Sequence, residues 1–223
     1  MSKETKEQTL PPFQIAVVPV TPLQQNCSIL VCTKTDQAAI VDPGGDVPEI
    51  MAALKKLGAK ARAIWLTHGH FDHAGGAMEL AAKTGAKIHG PHADDKWLLD
   101  QVASQCMLYG VDGGRDVTPD VWLEEGDTVR FGEVSFDVLQ CPGHTPGHVL
   151  FLNREAKIGL FGDVLFKGSI GRTDFDRGDH AALLAGIKEK IFPLPDDFAF
   201  IPGHGEFSTV GEEKRSNPFL RGL

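Results

Sequence analysis

Three histidines and one aspartate lie within six residues of this chain, directly after a short apolar run. The segment spans residues 67–73 and reads THGHFDH. In an extended loop, side chains two residues apart point the same way, so His68 and His70 place both imidazoles on one side. Gly69 between them allows a tight bend. Because imidazole and carboxylate suit zinc, iron or manganese, the chain must fold so that a loop after a strand presents a metal site.

Three further polar residues also follow apolar runs and lie beside glycine or proline. His144 lies in CPGHTPGH, Asp163 in FGD and His204 in IPGHG. Ligand-bearing loops on a rigid sheet have this composition. A single histidine beside a strand is more often structural, but the compact cluster and its three repeated partners together favour a metal site.

Apolar runs and their spacing predict the secondary structure. We expect strands over residues 13–18, 27–32, 38–41, 63–66, 87–89, 128–131, 133–139, 149–153, 158–161 and 198–202. Helical spacing predicts helices over 47–57, 73–83, 94–109 and 180–191, and a short one after Gly211. Each half therefore has strands first and a helix afterwards. Two mixed β-sheets packed face to face with helices outside, an α/β (α+β) arrangement, is one layered solution for this pattern.

Composition excludes several classes of protein. The chain has 223 residues, is 42% hydrophobic and carries a net charge of −8, which argues against a nucleic-acid-binding surface. The sequence has no apolar stretch long enough for a membrane helix. The cysteines form no CxxC pair, which suits a reducing cytoplasm. We expect a flexible tail over residues 1–12 and one catalytic domain over 13–223, acting as a cytoplasmic monomer.

The histidine cluster and its partners resemble the metallo-β-lactamase superfamily. The segments 142–148, 162–174, 201–205 and 216–220 are most similar to the short bacterial glyoxalase-II-like hydrolases, also called hydroxyacylglutathione hydrolases. This resemblance covers nearly the whole chain after the tail. It implies an αββα sandwich with a metal site at one edge between the sheets.

The resemblance also implies a ligand set. By position, one ion is held by His68, His70 and His144, the other by Asp72, His73 and His204, and Asp163 bridges both. Asp72 and Asp163 are the candidate catalytic residues within this set. The implied cofactors are two divalent metal ions, zinc foremost, with iron or manganese as alternatives.

Two residues outside that set are candidates for supporting the ligand loops. Asp42 resembles the family's strand-end aspartate that orders the ligand loop, although it also fits a simple turn before Pro43. His148 follows His144 closely and is expected to hydrogen-bond the ligand loop, with a surface or hairpin-cap role as the alternative.

The implied site suits hydrolysis of a thioester. Two dications about 3.5–4 Å apart share one water, and bound zinc lowers the pKa of water to around 7. A bridging hydroxide would then attack the carbonyl, and a thiolate with a pKa near 8.5 would leave with little help from an acid. The resemblance to glyoxalase II implies that the thioester is S-D-lactoylglutathione, cleaved to D-lactate and glutathione, or a related compound. We expect this small molecule as the partner, and no nucleic acid or membrane.

Three other functions remain open. A persulfide dioxygenase, the runner-up, would use one iron on His68, His144 and Asp163. A lactonase or another hydrolase of the superfamily ranks below it. A non-catalytic metal-binding module fits least, because a closed structural zinc site has four protein ligands.

The loop after Asp163 departs from the family pattern. In larger glyoxalase II enzymes this loop carries a Lys and a Tyr that hold glutathione. Here Arg172 takes the Lys position and Asp174 the Tyr position, so both are candidate substrate contacts. A structural Arg172–Asp174 ion pair is the alternative. We also expect that the helical C-terminal glutathione-binding segment of the larger enzymes is missing.

Overall fold

The computed structural model describes residues 11–223, so nearly all of the tail predicted for residues 1–12 lies outside the described residues. The first sheet contains β1 (Phe13–Val20), β2 (Gln25–Cys32), β3 (Gln37–Val41), β4 (Lys60–Trp65) and β5 (Lys87–His89), hydrogen-bonded in that order. The first three strands are antiparallel neighbours, and β3, β4 and β5 run parallel. The sheet is therefore mixed, as the sequence predicts.

The second sheet is also mixed. Its strands are β6 (Thr128–Phe131), β7 (Val134–Gln140), β8 (Val149–Asn153), β9 (Ile158–Gly162), β12 (Ala199–Pro202) and β13 (Ser208–Thr209). Their order is β13-β12-β9-β8-β7-β6, with β9 and β12 parallel and the other pairs antiparallel. Between β9 and β12, a separate small hairpin consists of β10 (Leu165–Phe166) and β11 (Ser169–Ile170). The sequence did not predict β10, β11 or β13, which have only two residues each.

Helices cover the outer faces of the sheets. They are α1 (Val47–Leu57), α2 (Phe71–Ala74), α3 (Ala77–Thr84), α4 (Lys96–Leu99), α5 (Val102–Tyr109), α6 (His180–Gly186) and α7 (Val210–Ser216). Short 3-10 turns span Ala93–Asp95 and Pro218–Leu220, and a π turn over Ile187–Ile191 continues α6. Among residues 11–223, no helix has the length and apolar character needed to cross a bilayer.

Two predicted helices are each divided in the structure. The helix expected over 73–83 breaks at Gly75 and Gly76, where the backbone lies against the loop after β3. A Cβ at Gly75 would lie 2.5 Å from the Gly44 carbonyl oxygen, and the Gly76 N–H donates to the Pro43 carbonyl. The helix expected over 94–109 breaks because Gln101 has a φ of −123°, outside the helical range.

Strands buried on both faces separate the core into layers. On β2, Ile29 packs towards the helices while its neighbour Leu30 packs towards the other sheet, because side chains alternate along a strand. Between the sheets, the ring of Trp65 lies 5.2 Å from that of Phe151 and 5.5 Å from that of Phe136. The result is the four-layer αββα sandwich predicted from the sequence.

Parallel strands bring the functional segments to one edge. Asp42 follows β3 and His68 follows β4, so both come at the carboxyl ends of neighbouring parallel strands. Asp163 follows β9 and His204 follows β12, again a parallel pair. Each sheet therefore delivers two polar residues to the edge of the sandwich.

Main-chain hydrogen bonds join the two sheets at that edge. The Asn26 N–H on β2 donates to the Gly203 carbonyl after β12, with an N···O distance of 2.7 Å. The Val149 N–H on β8 donates to the Thr67 carbonyl at 2.8 Å. These bonds hold the loops from the two halves of the chain in a fixed relation.

We expect Phe151→Ala to lower the free energy of unfolding by about 3–5 kcal/mol, because it removes a fully buried ring between the sheets. Urea denaturation of the metal-free protein measures this. Phe219→Ala, at a side chain that is 53% exposed, is the matched control and should change stability by less than about 0.5 kcal/mol. Equal losses in the two variants would contradict the assignment of this layer as the central core.

Candidate metal centre

Three imidazole nitrogens converge at the edge of the sandwich. His68 Nε2 and His144 Nε2 each lie 3.0 Å from His70 Nδ1. His68 and His144 are buried, and His70 is half-buried. These three side chains can hold one metal ion between them, with ligand atoms within 4.8 Å of one another.

The outer nitrogens of two of these rings are held by hydrogen bonds. Thr67 Oγ1 donates to Asp42 Oδ2 at 2.7 Å, so its oxygen is free to accept from His68 Nδ1 at 3.0 Å. His144 Nδ1 donates to the Arg172 carbonyl oxygen at 2.8 Å. Because the protons lie on the outer nitrogens, the Nε2 lone pairs of His68 and His144 point inwards.

A second group consists of Asp72, His73 and His204. His204 Nε2 lies 3.2 Å and His73 Nε2 3.7 Å from Asp72 Oδ2. The outer nitrogens are again hydrogen-bonded, since His73 Nδ1 donates to Asp42 Oδ2 at 2.9 Å and His204 Nδ1 to the Leu23 carbonyl at 3.2 Å. Both imidazoles therefore present Nε2 to the carboxylate.

The carboxylate of Asp163 lies between the two groups. Its Oδ2 is 3.6 Å from His144 Nε2 in the first group and 3.7 Å from His204 Nε2 in the second. Its Oδ1 is 3.4 Å from His73 Nε2. All seven side chains that the sequence nominated as ligands are thus gathered at one point.

Two orphaned atoms indicate that a cation fits here. His73 Nε2 and Asp163 Oδ1 are buried and, within residues 11–223, have no hydrogen-bond partner. An unpartnered buried polar atom is costly, so such atoms usually mark a missing water or ion. A set of imidazole nitrogens and carboxylate oxygens suits zinc, iron or manganese. The residues present therefore fit divalent metal ions, as the family implies.

The first group is neutral at physiological pH. Burial, followed by the charge of His144, lowers the pKa of His70 to about 3. Burial is also the main cause that lowers the pKa of His68 and of His144. These imidazoles therefore offer lone pairs at pH 7 without first losing a proton.

The second group is charged. Burial alone would lower the pKa of His73, but the carboxylates of Asp163 and Asp72 outweigh it and raise that pKa well above its usual value. Burial likewise opposes the rise at His204, where the hydrogen bond to Asp72 and the charge of Asp163 prevail. Burial would raise the pKa of Asp163, but His73 lowers it far below the usual range. Without metal, the protonated His73 ring therefore balances carboxylate charge.

The structure places both predicted supporting residues against the ligand loops. Asp42 accepts from the Thr67 N–H and hydroxyl and from His73, and its φ of 52° also makes it a turn residue. His148 is fully buried rather than at the surface. Its Nε2 accepts from the Asp163 N–H at 3.0 Å, and its ring stacks on His68 at 4.7 Å.

The two candidate substrate contacts pair with each other. Arg172 donates two hydrogen bonds of 2.9 Å to Asp174, and both side chains are exposed. The guanidinium also lies 4.5 Å from the centroid of the Phe175 ring. That ring is T-shaped to the rings of His70 and His144, with centroid distances of 5.1 and 5.6 Å. Of the two alternatives for Arg172 and Asp174, the structure therefore shows the ion pair. Phe175 is the side chain of this loop that packs against the histidines.

Sequence reasoning missed Phe175 and Asp95. Asp95 is fully buried and accepts hydrogen bonds from both histidine loops. Burial raises its pKa to about 6, against the opposing effect of those hydrogen bonds. Neither residue lies in a recognisable motif, because their contacts come from loops distant in sequence.

Comparisons with known proteins agree with this geometry. Residues 20–204 match the model of the metallo-beta-lactamase superfamily. The chain is 44% identical over 209 residues to the hydroxyacylglutathione hydrolase GloC of Haemophilus influenzae, a match that covers 93% of this chain and 98% of that protein.

Two solved structures share the fold. The BLEG-1 B3 metallo-beta-lactamase is 35% identical with a TM-score of 0.86, over 94% of this chain and 100% of that one. TTHA1623 in a di-iron-bound form is 35% identical with a TM-score of 0.82, over 92% and 100% of the two chains.

We expect zinc binding to the metal-free protein at pH 7 to release protons from the group of Asp72, His73 and His204 and not from the three histidines. A raised imidazole pKa means that the ring stays protonated until the pH exceeds that pKa, and a protonated ring cannot bind metal. Affinity at this group should therefore fall as pH is lowered. Calorimetric titration in two buffers of different ionisation enthalpy measures the protons released. Equal numbers of protons released when the first and the second zinc ion bind would contradict this assignment.

Proposed function

Since the chain belongs to the metallo-β-lactamase superfamily, and is a metal-dependent hydrolase, we propose that it cleaves thioesters and converts S-D-lactoylglutathione into D-lactate and glutathione. The observation that carries this proposal is the position of the Asp163 carboxylate between two groups of metal-binding side chains. The 44% identity to a protein named hydroxyacylglutathione hydrolase supports the thioester as substrate.

We propose the following ligand assignment. His68, His70 and His144 hold one divalent ion, Asp72, His73 and His204 hold the other, and Asp163 contacts both. When bound, such ions lower the pKa of water towards 7 and polarise a carbonyl group. The protein's own contribution is to place the seven ligand side chains around the same small region.

The carboxylate of Asp72 is suited to handle a proton. Burial would raise its pKa, but His73 and the hydrogen bond from His204 lower it, so the group is ionised at neutral pH. An ionised carboxylate beside the reacting water can accept the proton that the water loses as its oxygen bonds to the acyl carbon. The carbon–sulfur bond then breaks, and the thiolate leaves with little need of an acid because a thiol pKa is near 8.5.

We propose that the loop after Asp163 forms the substrate side of the site. Phe175, whose ring is T-shaped to those of His70 and His144, supplies an apolar wall. Arg172 is suited to bind a carboxylate of the thiol part of the substrate. Asp174 competes for the same guanidinium, and this competition lowers the affinity for an anionic peptide.

A persulfide dioxygenase is the second candidate function. It would use a single iron on His68, His144 and Asp163. The di-iron-bound form of TTHA1623 supports iron as a metal for this fold, although it holds two ions and this reaction would use one. The higher identity to GloC favours the hydrolase.

We expect the isolated protein to contain two metal ions per chain and to cleave S-D-lactoylglutathione. Asp163→Ala should lose metal and lower kcat by more than about 100-fold, because even indirect support of a metal ligand is worth 10–100-fold. Asp176→Ala, on the exposed part of the following loop, is the control and should keep full turnover. Metal analysis and the loss of thioester absorbance provide the readouts.

Three outcomes would overturn the proposal that the protein is a thioester hydrolase. One is a single iron per chain with oxygen consumption on glutathione persulfide. Another is faster turnover of a β-lactam than of the thioester, a comparison suggested by BLEG-1. The third is undiminished turnover by Asp163→Ala.

We expect Asp174→Ala to lower KM for S-D-lactoylglutathione by about two- to fivefold, because it frees the guanidinium of Arg172 for the substrate carboxylate. Arg172→Ala should raise KM by a similar factor, with kcat little changed in both variants. Steady-state kinetics with a thioester that has no carboxylate is the control and should show neither effect. A raised KM in Asp174→Ala would instead make Asp174 a substrate contact.

A further inference from the structure

The three-histidine group is assembled from two separate loops. His68 and His70 lie on the loop that follows β4 in the first sheet, and His144 lies on the loop between β7 and β8 in the second. Their ligand nitrogens meet at 3.0 Å only if the two loops keep a fixed separation. Some structure between the loops must therefore set that separation.

The carboxylate of Asp95 lies between these loops. Its Oδ2 accepts from the Gly69 N–H at 2.9 Å and from Thr145 Oγ1 at 2.7 Å, and its Oδ1 accepts from the Gly147 N–H at 2.6 Å. Gly69 separates the two histidines of the first loop, and Thr145 directly follows His144. Asp95 has no exposed surface, so water does not compete for these bonds.

The backbone around Asp95 is held just as closely. The His92 N–H donates to the Gly147 carbonyl at 3.1 Å. A Cβ at Gly147 would lie 2.6 Å from the Asp95 backbone nitrogen, and one at Gly69 would lie 2.8 Å from Leu98 Cβ. The segment can therefore neither move away from the loops nor rotate its carboxylate without breaking several contacts.

We propose that Asp95 is the positioning residue of the three-histidine group, holding the two ligand loops at the separation that metal binding requires. The inference rests on the proposed ligand assignment, and adds that Asp95 supports metal binding at the three-histidine group and not at the other group. All three hydrogen bonds of the Asp95 carboxylate go to the loops of that group, and none goes to Asp72, His73 or His204. Loss of Asp95 should therefore weaken one metal step and not the other.

An asparagine cannot replace this carboxylate. Asp95 accepts on both oxygens, whereas Asn has one acceptor oxygen and an NH₂ group that would face an N–H or O–H donor. Asp95→Asn keeps the size of the side chain and loses the bonds to at least one loop. Thr145→Val is a milder change that removes one of the three bonds and leaves the two backbone donors in place.

Zinc titration of the metal-free protein against a chromophoric chelator tests the proposal. Single substitutions in the otherwise wild-type protein assign the two zinc-binding steps to the two groups. His70→Ala removes a ligand of the three-histidine group, and His204→Ala removes a ligand of the other. We expect Asp95→Asn to weaken the three-histidine step by about 10–100-fold and to leave the other step unchanged. Thr145→Val should weaken the same step less, and Thr145→Ser should restore it.

Two comparisons separate positioning from general damage. Asp120→Asn is the matched control, because Asp120 also accepts from a backbone N–H, that of Ile88 at 2.8 Å, but contacts neither ligand loop. It should leave both steps at wild-type affinity. In a His70→Ala background, Asp95→Asn should have no further effect on the remaining step.

Two results would overturn the inference: wild-type affinity at both steps in Asp95→Asn and Thr145→Val, or equal weakening of both steps. If Asp95→Asn does not fold, the Thr145 pair decides between the same results. A wild-type protein that binds neither zinc nor iron nor manganese would instead overturn the proposed function. The two failures are thus distinguishable.

Discussion

Burial of the Asp163 carboxylate is the constraint on which the site depends. An ionised carboxylate away from water needs positive charge beside it, and this one lies within 3.4–3.7 Å of three imidazole nitrogens. In the metal-free chain, His73 supplies that charge, since its pKa is raised well above the usual value, and the pKa of His204 is raised in the same direction. Protons and metal ions therefore compete for the same electrostatic role, and the arrangement of side chains serves both.

The fold satisfies this constraint by simple geometry. Parallel strand pairs end at the same edge, so residues far apart in sequence arrive together, and hydrogen bonds from outer ring nitrogens decide which nitrogen faces inwards. The carboxylate of Asp42 orients two ligands at once. It accepts from the N–H and hydroxyl of Thr67, whose hydroxyl oxygen holds His68, and it accepts directly from His73. Main-chain hydrogen bonds between the two sheets hold the ligand loops next to one another.

The part of the structure that depends on local pattern was predictable from sequence. Apolar runs predict the long strands, and two packed mixed sheets are one layered solution for them. The placement of His68, Asp163 and His204 at one shared edge came from the family resemblance. The ligand grouping came from family resemblance, not from spacing. Local pattern does not reveal the break at Gly75, which depends on the loop after β3, or the role of Asp95, which depends on two distant loops. The sequence could not decide the roles of Arg172 and Asp174, because the same charged groups can either pair with each other or bind a substrate.

The glycines beside Asp163 limit how this centre can change. A Cβ at Gly203 would overlap Asp163 Oδ1, and one at Gly171 would overlap the Asp163 carbonyl oxygen. Gly203 thus leaves no room beside the carboxylate, and Gly171 leaves none beside the main chain of Asp163. Evolution or design that seeks a wider separation between ions cannot lengthen this side chain alone, and would have to rebuild the backbone of two loops together.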